Sequence, residues 1–251
     1  LNINVTLIFS LERYDEVMNA YLAGLARRVR AGKKIDRIAS VASFFVSRVD
    51  TLVDKVLDEK IKALGADRAA LLQELKGKAA IANAKMAYAA FRKKFSTGRW
   101  LKLAPRGARR QRPLWASTST KNPAYPDVYY VEALIGPDTV DTMPPQTIVA
   151  YKDHGYPAVR VNEEVDDALK ALDHLEELGI HMDDVTQKLE VEGVASFARS
   201  FDSLIAVVEM RRQAVLLAAR QRAQLGRRQK NVNVMLAEMD KIKFGERLWK
   251  K

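Results

Sequence analysis

The sequence predicts an α/β protein built on a parallel sheet, and three observations predict it. Four short runs, residues 3–9, 41–46, 114–116 and 139–143, are separated by segments whose apolar residues recur at helical spacing. The first two runs, rich in Val, Ile and Phe, are almost continuously apolar, as strands covered on both faces are. Polar residues gather at or near the ends of three of the four, where βα folds build their sites. Strand followed by helix, four times over, fits either a doubly wound sheet or half of a barrel.

Each element has a local reason. In the first run Asn4 and Thr6 are the polar exceptions, and the two-residue strand period points both to one face. Leu11, Tyr14, Val17, Met18, Tyr21, Leu22, Leu25 and Val29 then predict a helix, with Ser10 as N-cap and Gly32 as the stop. The second strand is interrupted by Ser43 and followed by Ser47 and Arg48. Helices are expected from about Asp50 to Leu64 and, as a single rod, from Asp67 to Phe95, with Leu71, Leu75, Ala79, Ala82 and Met86 on one stripe. After the third strand come a short helix near Val131–Ile135 and the fourth strand. Pro144-Pro145 then opens another helix at the position where proline is tolerated. Asn162 is the expected cap of a helix through Val165, Leu169, Leu172, Leu175 and Leu178 that stops at Gly179. Asp183–Val191 reads as a short helix, Val194 to about Leu225 as a separate long one, and residues 226–251 as basic and weakly periodic.

Composition narrows the classes. The 251 residues are 48% hydrophobic and 29% charged, a globular balance in a chain long enough to bury a sizeable core. With no Cys, disulfides and thiolate-ligated metals are excluded, and His154, His174 and His181 have no metal-ligand spacing. No apolar run reaches the ~20 residues of a membrane helix, so no membrane partner is expected and the cytoplasm is the expected location. The chain opens inside a β-branched strand with no Met, and is expected to be a fragment. The net charge of +11 is uneven: residues 201–251 hold 12 Lys/Arg against 5 Asp/Glu, and Arg99, Lys102, Arg106, Arg109, Arg110 and Arg112 form a second cluster. Nucleic-acid binding is one reading of that charge. No nucleic-acid motif supports it, and anionic metabolites need cations too.

The stretch Gln111–Asp127 carries the chemistry. Its strand breaks into four hydroxyl residues, Ser117 to Thr120, followed by Lys121, Asn122 and two prolines. Small donors at a strand end beside a cation suit a phosphate or sugar; a Ser/Thr turn capping the next helix is the alternative.

Several segments resemble transaldolase motifs, in that family's order and at about its spacing. They are Asn4–Ser10 (NVTLIFS), Ser40–Asp50 (SVASFFVSRVD), Gly77–Lys85 (GKAAIANAK), Trp115–Pro123 (WASTSTKNP) and Gly136–Pro144 (GPDTVDTMP). The resemblance covers residues 1–205 and is closest to the longer bacterial type. It implies a (β/α)8 TIM barrel, of which this chain would hold strands five to eight plus C-terminal helices, with residues 206–251 a basic helical tail or linker. It also implies transfer of a dihydroxyacetone unit between sugar phosphates through a lysine Schiff base, with no metal or cofactor. By position Thr6 matches the threonine that holds the catalytic water. Asn4 and Ser43 match the polar contacts to the dihydroxyacetone portion, and Phe45 the aromatic wall. Arg48, Ser117 and Lys121 match the substrate phosphate site, although other branches place an arginine near Lys121 on a shorter loop. The family's Schiff-base lysine and its acids lie on strands that would precede Leu1, so these 251 residues are expected to be inactive alone. The basic end, through Phe244–Lys251, resembles the linker of transaldolases fused to a glucose-6-phosphate isomerase domain.

Alternative roles stay open. Asn4 and Thr6 could be buried polar residues bonded within the barrel, Ser43 a packing residue, Arg48 an ion-pair partner of Asp50, and Gly77–Lys85 helix packing; Trp115 reads as core. The whole could also be a non-catalytic phosphosugar-binding module.

Overall fold

The computed structural model describes residues 2–63, 66–224 and 228–242. Leu64 and Leu225, expected near helix ends, and Phe244–Lys251 lie outside them. Chain contacts divide the protein into two units, Leu1–Val194 and Ala195–Lys251.

The first unit is a four-stranded parallel sheet in the order β1-β2-β3-β4. Its strands are β1 (Asn2–Ile8), β2 (Ala39–Phe45), β3 (Gln111–Ala116) and β4 (Val140–Asp141). Neighbours in space are neighbours in sequence, with no reversal of strand order, so the sheet winds as a barrel segment does. Helix α1 (Leu11–Arg30) begins where Ser10 accepts a hydrogen bond from the Arg13 N–H, as its N-cap position predicts. It buries Tyr14, Met18, Leu22 and Leu25. The ring of Tyr14 meets Phe44 edge-on at 5.7 Å, and Phe44 meets Trp115 at 6.2 Å. Trp115 is 1% exposed and donates its indole N–H to the Leu134 carbonyl at 2.9 Å, so it is core. The opposite face of β1 is open: Asn4 and Thr6 are exposed, and they alternate with half-covered Val5 and Leu7.

Helix α2 (Ser47–Ala63) follows β2 directly, and the expected single rod beyond it is two helices, α3 (Ala66–Leu75) and α4 (Ala79–Lys94). Their apolar stripe reads straight through, but Gly77 takes a left-handed φ of +75° and breaks the rod. The freed backbone donors are caught by α2: the Asp54 carboxylate accepts from the Gly77 N–H at 2.9 Å, and Asp50 from the Ala80 N–H at 2.7 Å. A periodicity argument cannot see such a break, because the captors are 23 and 30 residues earlier in sequence. Leu71 of the expected stripe is exposed.

A short helix α5 (Arg99–Leu103) precedes β3, and α6 (Tyr129–Ala133) precedes β4. Helix α7 (Pro145–His154) starts at Pro145, as expected. Helix α8 (Val165–Glu177) is capped by Glu164 at φ +50°, not by Asn162. The cause lies upstream: Val161 is fully buried and packs where a Gly136 side chain would be, and its N–H bonds the Ile135 carbonyl, which fixes the chain's entry. The two helices expected after residue 182 are one, α9 (Met182–Gln224). Gly193 does not stop it; it gives room to Leu7, whose Cδ2 lies 3.2 Å from where a β-carbon would be. Helix α10 (Gln229–Lys241) forms within the basic, weakly periodic end of the chain.

Candidate functional site

Apart from Asn4, which lies in the amino-terminal half of β1, the predicted residues fall toward the carboxyl ends of β1 and β2 and in the connections that follow β2 and β3. On β1, Thr6 is followed by a bulge: the register with β2 skips between Val5 and Ile8, and Leu7 takes φ +61°. A left-handed leucine is strained, and strain of this kind re-aims neighbouring side chains. Asn4 and Thr6 are exposed on β1, an edge strand of the four-stranded sheet. Ser43 of β2, 3% exposed, donates its hydroxyl to the Asn4 side-chain oxygen at 2.8 Å. That bond occupies the Asn4 oxygen, so the donors of the amide are the groups left to bind a ligand.

Two residues along β2, Phe45 is 8% exposed, 5.1 Å from Phe9 between ring centroids. The Arg48 guanidinium lies 5.4 Å above the Phe45 ring. Arg48 is therefore held by an aromatic face, not by Asp50, whose two oxygens accept from the Ala80 N–H and the Tyr130 hydroxyl.

The hydroxyl run divides its labour. Ser117 has φ +59°, and this turn aims its carbonyl at the Ser47 N–H, 3.0 Å away. The Ser47 and Ser117 hydroxyls share a second bond of 2.9 Å, so Ser117 is tied to the residue beside Arg48. Thr118 is fully buried and donates to Asp141 at 2.8 Å. Burial pushes the Asp141 carboxyl up to about 6, although the Thr118 hydroxyl and Thr142 N–H pull it back. Lys121 is exposed and bonds the Ser119 hydroxyl at 2.7 Å. The run caps no helix: α6 starts at Tyr129, with Val128 at its cap and no side-chain bond there.

Sequence reasoning missed the group that holds this wall in place. Asp50 and Asp54 project from α2 one turn apart, both buried. Besides the α4 backbone, Asp50 accepts from the Tyr130 hydroxyl at 2.8 Å and Asp54 from the Tyr125 hydroxyl at 2.6 Å. Their spacing beside the apolar stripe Val49, Val53 and Leu57 was the available signal. In the Gly77–Lys85 segment Asn83 bonds the Phe9 carbonyl and Lys85 the Glu163 carbonyl, both 3% to 6% exposed, so it is packing.

A cleft of about 740 Å³ opens at the amino ends of the strands, lined by Arg109, Arg110 and Arg112. It shares only Asn4 with the predicted set. Arg110 there is engaged by Asp138 at 2.6 Å and lies over Trp100. None of the four strands carries a lysine. Among the described residues no group of three or more His, Cys, Asp or Glu is arranged to hold a metal.

The family model for transaldolase/fructose-6-phosphate aldolase matches residues 1–208. The chain is 50% identical over 206 residues to the transaldolase of Parafrankia sp. (strain EAN1pec), covering 82% of this chain and 54% of that protein. It is 47% identical over 212 residues to the transaldolase of Trichodesmium erythraeum, covering 83% and 56%. To transaldolase 2 of Streptomyces avermitilis it is 50% identical over 212 residues, covering 83% and 55%. The chain spans about half the length of the curated relatives it matches. The fold of that family is a (β/α)8 barrel, and β1 to β4, wound in one direction, correspond to half of one.

Proposed function

The chain belongs to the transaldolase/fructose-6-phosphate aldolase family, and from that premise we propose that it supplies the substrate-gripping half of a transaldolase. The activity is transfer of a dihydroxyacetone unit from a ketose phosphate, such as sedoheptulose 7-phosphate, to an aldose phosphate, such as glyceraldehyde 3-phosphate. The observation that carries this reading is the seam between β2 and β3, where Ser47 holds Ser117 by two hydrogen bonds beside Arg48.

Each residue then has a chemical task. A lysine amine attacks the ketose carbonyl and expels water to give an imine, which acts as the electron sink when the carbon–carbon bond breaks. Thr6 on β1 holds the water that later returns to hydrolyse the imine. Asn4 meets the hydroxyls of the dihydroxyacetone portion, and Ser43 serves that contact by holding the Asn4 amide. Phe45 forms the apolar wall beside it. Arg48, Ser117 and Lys121 bind the phosphate, and that remote binding positions the reacting carbon. The lysine and the acids that move protons come from strands that the family places ahead of β1.

Sugar phosphates are the partners, and the cytoplasm is the location this reading gives; no described helix is long and apolar enough to cross a membrane. Residues past the family match serve as a linker to an adjacent glucose-6-phosphate isomerase domain, which reading the coding sequence beyond Lys251 tests. Trapping tests the chemistry. These 251 residues, incubated with fructose 6-phosphate and borohydride, are expected to gain no adduct by mass spectrometry and to show no turnover. A stoichiometric adduct on one of their lysines would overturn the assignment of the Schiff base to another strand.

A further inference from the structure

We propose that Asp50 and Asp54 are positioning residues that hold the Ser117–Lys121 wall of the phosphate pocket at a fixed place relative to Arg48. This deepens the pocket assignment above and rests on it.

The geometry is a double clamp. The connection after β3 leaves the sheet at Ser117 and reaches α6 at Tyr129. Its start is tied to α2 by Ser47, one residue before Arg48. Its far end is tied to the same helix twice, by the Tyr125 hydroxyl on Asp54 at 2.6 Å and the Tyr130 hydroxyl on Asp50 at 2.8 Å. Lys121 lies between the two ties. Inside the connection, Asn122 makes its own turn, accepting from the Ala124 N–H and the Tyr125 N–H.

Each carboxylate also spends its second oxygen on another element, Gly77 and Ala80 at the head of α4. Tyr129 closes the set by donating to the Gly77 carbonyl at 3.1 Å. Gly77 has no side chain because the Tyr125 ring occupies the space, 2.8 Å from where a β-carbon would be. Helix α2, the head of α4 and the phosphate connection are thus locked through two buried carboxylates. If stability alone were at stake, the tyrosines could bond any backbone carbonyl. Bonding them to the helix that carries Arg48 sets the distance between the two walls of one pocket, on which phosphate affinity depends.

Tyr125→Phe removes only one hydroxyl of the clamp. Tyr88→Phe, which removes a hydroxyl bonded to the Pro137 carbonyl at 3.0 Å, is the control for a general loss of stability. Inorganic phosphate is titrated into the 251-residue chain and both variants, with binding followed by NMR and thermal unfolding recorded alongside. Tyr125→Phe is expected to weaken phosphate binding about three- to tenfold, whereas Tyr88→Phe leaves it unchanged at a similar loss of Tm. Equal phosphate affinity in Tyr125→Phe and the parent overturns the positioning role, as does equal weakening in both variants. If the parent binds phosphate but Arg48→Ala binds it as well as the parent does, the pocket assignment fails and the positioning role fails with it. Absence of binding in the parent has the same consequence.

Discussion

Asp50 makes the stability of this fold depend on pH in an unusual direction. Its side chain is 1% exposed, and burial pushes its carboxyl up from 3.8 to about 7. The Ala80 N–H pulls it back, nearby Asp54 raises it further, and the Tyr130 hydroxyl lowers it. The folded chain therefore binds this proton more tightly than the unfolded chain does. Its contribution to stability is fully present below the unfolded value and is lost as pH rises through the folded one. A shift of about three units amounts to on the order of 4 kcal/mol across the whole window. Between about pH 5 and about pH 8 the loss is on the order of 2–3 kcal/mol. Asp50→Asn stays neutral, keeps an oxygen for the Ala80 N–H, and turns its amide toward the Tyr130 oxygen, which accepts. Urea unfolding of the parent and Asp50→Asn across that range cancels the titrating groups that do not interact with Asp50, leaving Asp50 and its coupling to Asp54. The parent is expected to lose stability relative to the variant as pH rises. A difference that stays constant with pH, or that favours the parent at high pH, would refute the reasoning.

Three further outcomes follow from the same geometry. Gly77→Ala places a β-carbon against the Tyr125 ring and forces a left-handed alanine, so thermal unfolding should show a loss of about 1–3 kcal/mol. Thr118→Val removes the hydroxyl that Asp141 accepts. Because the Asp141 carboxyl titrates at about 6, the loss in urea unfolding is larger at pH 8, where it is ionised, than at pH 5. Arg48→Ala leaves Phe45 and the sheet in place and is expected to weaken inorganic phosphate binding at least about tenfold by NMR titration.

The strands and α1 were legible because local rules agree there. Apolar runs mark β1 and β2, and Ser10 caps α1 as its type predicts. The failures have distant causes. Gly77 breaks a rod that periodicity draws as continuous, because Asp50 and Asp54 capture its backbone from α2. Asn162 loses the cap to Glu164 because Val161 is anchored beneath Gly136. The two helices expected either side of residues 192–193 are one, and Gly193 within it is a point of close packing on Leu7. At the site, residue types suggested Ser117 and Lys121, but the tie from Ser47 to Ser117 joins the start of α2 to the connection after β3 and is invisible in sequence. The roles of Asp50 and Asp54 depend on Tyr130 and Tyr125, 80 and 71 residues away in sequence, which no local pattern reveals.

The central claim is that the phosphate is gripped at the β2–β3 seam and not in the arginine-lined cleft at the other end of the sheet. Fructose 6-phosphate added to the isotope-labelled chain, with amide shifts mapped residue by residue, tests it most directly. The account predicts saturating shifts at Arg48, Ser117 and Lys121. Shifts confined to Arg109, Arg110 and Arg112, or none at the seam, would contradict it.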